Sequence, residues 1–202
     1  MKRDLITAPI AVVVLTLCLG VVYPLLATGV SQLAFPGNAN GQRVYVHGRL
    51  IGSDLIGQQF ARQLTRNGRP AVDRHGNPVT VPDRRYFQTR PSATVPPDNA
   101  AATTFSNLGP NSLATLAELR ANIRSYLALE RPYDPGLTVA RIPVDAVDSS
   151  ASGIDPDISV ANADIQAHRV AAVRHLPLSR VDALIARFTG GRGLGFSGEP
   201  TV

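Results

Sequence analysis

The sequence has no tryptophan, one methionine and one cysteine, and aromatic residues make up only 5% of its 202 residues. The only thiol, Cys18, has no partner in the chain, which excludes an intrachain disulfide. The net charge of +5 comes mostly from arginines that are scattered rather than clustered. Because nucleic-acid-binding proteins usually combine a basic stripe with interleaved aromatic residues, we expect no nucleic acid among the partners.

Charge is also missing from Leu5 to Phe35. About 20 apolar residues suffice for a helix to cross a bilayer, so we predict that residues 1–35 form a membrane anchor held in the lipid bilayer. A cleaved signal peptide is the alternative, but the apolar regions of such peptides run only about 7 to 15 residues. Lys2 and Arg3 precede the helix, which predicts a cytoplasmic N-terminus and an extracytoplasmic remainder.

The rest of the chain is predicted to be one mixed α+β extracytoplasmic domain. Proline, glycine and asparagine in residues 36–41 indicate a linker, and the domain then covers residues 42–202. A first strand is expected over residues 43–51. Residues 62–85 form a long insert rich in turn-forming pairs, including His75 and Asn77, and this composition predicts a surface hairpin or excursion.

Three helices and one more strand are predicted in the second half. Apolar residues recur at helical spacing after Ser112, Ser159 and Ser179, and each of these serines is expected to cap the helix that follows it. A strand is expected over residues 137–147, between the first and second of these helices.

Patterns typical of catalysis or metal binding fail on their context. The GxGxxG pattern at residues 193–198 follows a helix rather than a strand, which excludes a dinucleotide site. The residues from Asp155 onward resemble the start of a calcium loop, but Val160 stands where the loop requires glycine and Gln166 where it requires glutamate. His168 and His175 lie seven residues apart with no third ligand, so we predict no metal site.

A serine hydrolase is a further alternative, because Ser150, Ser152, Asp155 and His168 supply the side chains of a catalytic triad within one short stretch. The GxSxG pattern of a nucleophile elbow is absent, however, and serines before a helix usually form caps or turns. We therefore predict no catalytic residues in this chain.

Several segments, in the same order along the chain, resemble the C subunit family of Kdp potassium-transporting ATPases. They are residues 52–58, 86–93, 106–110 and 143–145, and the SxSGxDPxIS block at 150–159 followed by QxxRVAxxR. The last of these is the specific motif. The resemblance covers the anchor and nearly the whole domain, although the 62–85 insert is longer than the usual link. It singles out as interface or structural residues Arg90, Ser92, Asn107, Gly109, Ser150, Ser152, Gly153, Asp155, Pro156, Gln166, Arg169 and Arg174.

The resemblance implies a non-catalytic subunit of a high-affinity potassium uptake pump. Its implied partners are a potassium-binding channel-like subunit, a P-type ATP-hydrolysing subunit and a small single-span subunit. ATP and K⁺ are then handled by these partners, and no cofactor is expected on this chain. The family's C subunit is needed for assembly or stability and has been described as a catalytic chaperone for ATP binding. Because the predicted topology places the domain away from cytoplasmic ATP, a stabilising role is favoured over direct ATP contact.

The residues themselves favour binding over catalysis. Gly153 permits a tight turn, Asp155 is expected to form an Asx turn, and Arg169 and Arg174 can donate forked hydrogen bonds to carboxylates or carbonyls. These motifs are equally compatible with a fold-defining turn and with a partner interface. An anchored binding module of unknown ligand is the alternative function.

Overall fold

The computed structural model describes residues 2–74, 76, 78–94, 96–102 and 107–202. The chain divides into two compact units, Met1–Leu55 and Ile56–Val202, and each is described by itself. His75, Asn77 and Ser106, which belong to the predicted turn-rich segments and motifs, lie outside the described residues.

The first unit begins with one long apolar helix. Helix α1 (Lys2–Leu17) passes through a π-helical turn (Cys18–Val22) into α2 (Tyr23–Ala34). Proline has no N–H and crowds the carbonyl four residues earlier, and the wider π turn ends at Val22, two residues before Pro24. The segment Leu5–Ala34 has a mean hydropathy of 2.7 over its most apolar part and is long enough to cross a membrane, as predicted.

The first unit ends with a short helix and a hairpin. Helix α3 (Pro36–Ala39) lies within the segment predicted to be a linker. The prediction of one strand over residues 43–51 is wrong, because the chain reverses between β1 (Arg43–Val46) and β2 (Arg49–Ser53). His47 and Gly48 have φ values of 50° and 76°, which suit a tight hairpin turn.

The insert at residues 62–85 folds as paired strands in the second unit. Strand β3 (Ala61–Gln63) pairs with β6 (Thr80–Pro82), and β4 (Thr65–Arg66) pairs with β5 (Arg69–Pro70). The turn between β4 and β5 is Asn67-Gly68, both with positive φ. The predicted hairpin is therefore confirmed.

Helices α4 (Leu113–Glu130), α5 (Val160–Arg174) and α6 (Leu178–Phe188) follow. Ser112 and Ser159 accept hydrogen bonds from the amides of Ala114 and Asn162, which confirms both predicted caps. The predicted cap at Ser179 is wrong. Helix α6 begins earlier because Pro177, whose φ of −60° already suits a helix, occupies the capping position.

The strand predicted over residues 137–147 is also wrong. This segment forms two single-turn 3₁₀ helices, Val139–Arg141 and Val144–Ala146. Pro143 has no N–H to give to a sheet, and its carbonyl instead accepts a local hydrogen bond from the amide of Ala146. Local turns therefore replace the strand.

Helix α5 lies at the centre of the second unit. One side packs Ala163, Ala167 and Val170 with Val181 and Ile185 of α6. The opposite side places Ile165 in a second cluster, whose other members are Tyr126, Leu137, Ala146 and Val147. The unit is a mixture of helices and short strands, so the α+β class is confirmed.

The end of the chain closes this core. The amide of Val202 donates to the carbonyl of Ile158, and the amide of Ile158 donates back to that of Val202. Thr201 bridges to Ser159 and Gly190, and the Val202 side chain packs against the cluster shared by α5 and α6.

Candidate functional site

Arg169 is the most enclosed residue of the predicted motifs. Its side chain is 0% exposed and faces Glu130 of α4, which is 1% exposed. Its Nε lies 2.9 and 3.1 Å from the two carboxylate oxygens of Glu130. Its Nη1 donates to the carbonyls of Arg84 and Tyr86 at 2.6 and 2.9 Å. The predicted forked bonding of Arg169 is confirmed, and it joins α4, α5 and the end of the insert.

Gln166 continues this buried network on α5. Its Oε1 accepts from Arg169 Nη2 at 2.8 Å and from the amide of Gln88 at 2.7 Å. Its Nε2 donates to the carbonyl of Gln88 at 3.0 Å and to Asn162 Oδ1 at 2.9 Å. The side-chain amide thus pairs with the backbone of Gln88 as a strand would, which fixes the segment that leads into the Arg90 motif.

The network ends at the N-terminus of α5. Asn162 Oδ1 also accepts from the Tyr126 hydroxyl at 2.9 Å, and Asn162 Nδ2 donates to Asp145. Asp145 accepts from both the amide and the hydroxyl of Ser159, at 2.8 and 2.7 Å. Asp145 therefore gives α5 a second cap, and a carboxylate at this position is favoured by the helix dipole.

Burial dominates the ionisation of two groups in this network. Burial raises the pKa of Glu130, and the opposing guanidinium of Arg169 partly offsets that increase. Burial likewise raises the pKa of Tyr126, with help from the charges of Glu130 and Asp145. The tyrosine therefore remains a neutral hydrogen-bond donor at physiological pH.

Arg174 binds the same insert segment from the outer end of α5. Its Nε donates to the carbonyl of Arg85 at 2.6 Å, and its guanidinium lies 4.8 Å from the centre of the Tyr86 ring. Tyr86 in turn stacks on Phe60 at 4.7 Å. Arg174 thus bonds a carbonyl, as predicted, and adds a cation–π contact.

Ser92 joins two of the motifs. Its hydroxyl donates to the carbonyl of Gly153 at 2.6 Å and accepts from the amides of Thr94 and Asp98. Ser150 donates its amide to the carbonyl of Pro91. The loop after Arg90 is therefore tied to the 150–159 block by hydrogen bonds in both directions.

The 150–159 block is itself built from local turns. The hydroxyls of Ser150 and Ser152 lie 3.0 Å apart, and Ser152 Oγ accepts from the amide of Ile154. Gly153 has a φ of 72°, so the predicted glycine turn is present. Asp155 Oδ1 accepts from the amide of Asp157 at 3.1 Å, which confirms the Asx turn.

Gly57 packs directly against this block. Its amide donates to the carbonyl of Ile154 at 2.7 Å. A Cβ at this position would lie only 2.8 Å from the carbonyl oxygen of Asp155 and 3.1 Å from Asp98 Oδ1. Only glycine allows the two backbones to approach so closely.

Arg90 and Asp155 form a partly exposed ion pair. Arg90 Nη1 lies 3.2 Å from Asp155 Oδ2, and the two side chains are 26% and 29% exposed. Arg90 Nε is buried and has no hydrogen-bond partner among the described residues. This pair therefore keeps both charge and accessibility beside the buried network.

A cavity of about 310 Å³ lies beside this ion pair. Gln88, Arg90, Ser92 and Asp98 line one side of it. Helices α4 and α5 line another side with Asn122, Ser125, Tyr126, Glu130, Asn162 and Gln166. Burial raises the pKa of Asp98, against a weak hydrogen bond from Thr89. The cavity can hold a small polar molecule or a side chain of a partner.

Three of the predicted site residues stand apart from this arrangement. Asn107 is exposed and has a φ of 51°. The carbonyl of Gly109 accepts from the amide of Ser112 and the hydroxyl of Thr115, so this motif builds the turn before α4. Pro156 is half-buried between Asp155 and Asp157.

Sequence reasoning missed Glu130, Gln88 and Asp145 as members of the network. Glu130 lies 39 residues from Arg169 in the chain. Gln88 lies 78 residues from Gln166. Such distant pairs carry no local pattern, although a charged residue on the apolar side of α4 was an available signal for Glu130.

No catalytic triad forms among the described serine, aspartate and histidine side chains. Ser150 and Ser152 bond each other, Asp155 pairs with Arg90, and no hydrogen bond connects His168 to any of them. Within the described part of the chain, no three His, Cys, Asp or Glu side chains are grouped so as to hold a metal ion.

Comparison with known proteins identifies the family. The model of the family described as "K+-transporting ATPase, c chain" matches residues 5–202. The potassium-transporting ATPase KdpC subunit of Methylococcus capsulatus Bath is 43% identical over 196 residues, which cover 96% of this chain and 90% of the relative. The KdpC subunit of Methylibium petroleiphilum PM1 is 45% identical over 93% of this chain and 85% of its own length.

A mycobacterial relative is similar over the full chain. The KdpC subunit of Mycobacterium tuberculosis H37Rv is 39% identical over 203 residues, which cover all of this chain and 94% of that protein. The resemblance drawn from the motifs is thus confirmed over nearly the full length. The chain belongs to the KdpC family, the C chain of potassium-transporting P-type ATPase complexes.

Proposed function

We propose that this chain is the accessory subunit that supports assembly and stability of a Kdp potassium pump. The observation that carries the proposal is that the motif side chains bond one another. Hydrogen bonds within the chain use the polar atoms of Arg169, Gln166, Ser92 and Ser150. They build a rigid frame around the Arg90–Asp155 pair and its cavity rather than a reactive centre.

The proposed topology places the second unit outside the cell. Lys2 and Arg3 precede the apolar helix, and no charged residue lies between Asp4 and Arg43, which favours a cytoplasmic N-terminus. The second unit then lies on the side from which potassium enters. The lipid bilayer is the first partner, and the N-terminal helix is the part that contacts it.

The other proposed partners are the channel-like potassium-binding subunit, the P-type subunit that hydrolyses ATP, and a small single-span subunit. ATP and K⁺ are handled by these partners. An effect on ATP affinity then acts through the complex, since the proposed topology separates the second unit from cytoplasmic ATP. Family membership favours this function over an independent binding module.

Arg90 and Asp155 are the proposed contact point for another subunit. Their side chains are 26% and 29% exposed, and Arg90 lines the adjacent cavity. Planar guanidinium groups suit interfaces because they donate several hydrogen bonds in a fixed geometry. A carbonyl or carboxylate of a partner is the expected acceptor.

Affinity purification tests the assembly role. The full tagged chain is purified in mild detergent from potassium-starved cells that express all Kdp subunits. We expect co-purification of the P-type and potassium-binding subunits, with potassium-stimulated ATP hydrolysis. Recovery of an inserted chain without these subunits would overturn the proposal and favour the independent binding module.

Thiol labelling tests the topology. Cys18 is the only cysteine, so a Cys18→Ser background with Ala161→Cys places one thiol on the exposed side of α5. We expect a membrane-impermeant reagent to label it in intact spheroplasts. Labelling only after lysis would show the opposite orientation.

A further inference from the structure

The loop after α6 exposes apolar side chains at a tight turn. Gly193 and Ser197 exchange backbone hydrogen bonds of 2.8 Å in both directions, and this closes a turn whose tip is Leu194 and Gly195. Leu194 is 91% exposed and Phe196 is 73% exposed. We call residues 192–197 the tip loop. Its apolar side chains contribute little to the core of the unit.

The backbone of the tip loop makes this exposure more unusual. Leu194 has a φ of 52° and Gly195 a φ of 81°. Asparagine, aspartate or glycine normally occupies such left-handed positions, because a branched side chain is disfavoured there. Leu194 is both strained and almost fully exposed, so its side chain is not stabilised by burial within its own chain. This indicates that the side chain is buried in an apolar environment outside the chain.

The charge around the tip loop suits an anionic surface. Residues 186–197 include Arg187 and Arg192 and no aspartate or glutamate. Both arginines are exposed and neither forms an ion pair within the described part of the chain. Arg187 lies over the ring of Phe188, which is itself exposed. Basic residues beside exposed apolar side chains are typical of segments that lie in a lipid headgroup layer.

Size also favours lipid over a protein partner. A stable protein interface buries roughly 800 Å² on each side. The tip loop offers two apolar side chains among glycines, far less than such an interface requires. The N-terminal helix keeps the second unit tethered near a bilayer, so even a weak lipid contact operates at high effective concentration.

We infer that the tip loop, through Leu194, Phe196 and Arg192, inserts shallowly into the anionic headgroup layer of the membrane that holds the N-terminal helix. The contact gives the second unit a second point of attachment to the bilayer. The inference rests on the proposed anchoring by that helix and is independent of the role in pump assembly.

Tryptophan fluorescence tests the inference in the full chain. Because the sequence has no tryptophan, Phe196→Trp provides a single reporter. Leu113→Trp is the matched control, since Leu113 is 83% exposed at the start of α4 in the same unit. Each variant is reconstituted into phosphatidylglycerol vesicles with or without brominated acyl chains, and circular dichroism checks that both are folded.

The inference predicts blue-shifted emission and bromine quenching for Phe196→Trp and neither for Leu113→Trp. Adding Arg192→Gln is expected to lower the insertion equilibrium constant roughly fivefold, the loss typical of one basic residue at an anionic surface. Equal quenching of both reporters, or none at Phe196→Trp, would overturn the inference. A blue shift seen only in the assembled pump, without bromine quenching, would also overturn it and assign the tip loop to a protein partner.

Flotation of the same vesicles separates failure of the anchor from failure of the tip loop. A chain that floats with the vesicles but shows no quenching refutes only the tip-loop contact. A chain that does not float contradicts both the proposed anchoring and this inference.

Discussion

Arg169 and Arg90 are both motif arginines paired with a carboxylate, yet their surroundings differ completely. Arg169 is fully enclosed with Glu130 and spends its other donors on two backbone carbonyls and Gln166. Arg90 shares a partly exposed ion pair with Asp155 and leaves its Nε without a partner among the described residues. The motifs therefore hold both a buried pair, Arg169 with Glu130, which we call the structural centre, and a partly exposed pair, Arg90 with Asp155, which we call the rim.

Glu130→Ala is expected to have the largest effect on stability, because it leaves the charge of Arg169 buried without its partner. Removal of one member of a buried pair typically costs about 3–5 kcal/mol. The free energy of unfolding of the full chain in detergent, measured with urea, checks this value. Glu118→Ala on the same helix has no ion pair to lose among the described contacts and should change stability by at most about 0.5 kcal/mol. An equal loss in the free energy of unfolding for the two variants would show that Glu130 and Arg169 do not stabilise the fold as a buried pair.

Gly57→Ala is expected to have the next largest effect. The new methyl group would lie 2.8 Å from the carbonyl oxygen of Asp155, so the backbone around the rim must shift. Such overpacking typically costs about 1–3 kcal/mol. Gly191→Ala is the control, because its Cβ would meet no atom within 4 Å. Urea unfolding that fails to separate the two variants would contradict the close packing of Gly57 against the rim.

Arg90→Gln is expected to change stability little and assembly strongly. A partly exposed ion pair contributes only about 0–1 kcal/mol. For this variant we therefore expect near-normal thermal unfolding but a reduced yield of co-purified Kdp subunits. Asp155→Asn should behave alike if the pair acts as a unit. A normal yield with both variants would show that the rim does not contact a partner subunit.

The smallest effect is expected at Asp83 and only in acid. Hydrogen bonds from Arg85 lower the pKa of Asp83 to about 2. Since an unfolded aspartate has a pKa of about 3.9, this stabilisation is complete above that value and is lost as the pH falls toward 2. Asp83→Asn should flatten the dependence of unfolding on pH in that window. An unchanged slope would refute the lowered pKa.

Local chemistry explains what could be predicted from the sequence. Helices α4 and α5 follow the predicted serine caps, because a cap and an apolar repeat are signals within one segment. Helix α6 began earlier than predicted because Pro177 replaced the expected cap. The strand predicted over residues 137–147 failed because Pro143 favours local turns in an otherwise β-prone sequence.

The site shows the same division between local and distant information. The turns at Gly153 and Asp155 and the hydrogen-bonding type of Arg169 follow from residue chemistry. The choice of Glu130 as partner depends on how α4 packs on α5, which no local pattern encodes. The cavity beside Arg90 is likewise a product of distant segments that meet only in the fold.

The most direct test of the account compares the Kdp complex produced with and without this chain. The quantities measured are the yield of the assembled complex and its potassium-stimulated ATP hydrolysis, with the purified chain assayed alone in parallel. We expect a large loss of complex without the chain, recovery when the chain is co-expressed, and no hydrolysis by the chain alone. A fully assembled and active complex that lacks the chain, or ATP hydrolysis by the chain itself, would contradict it.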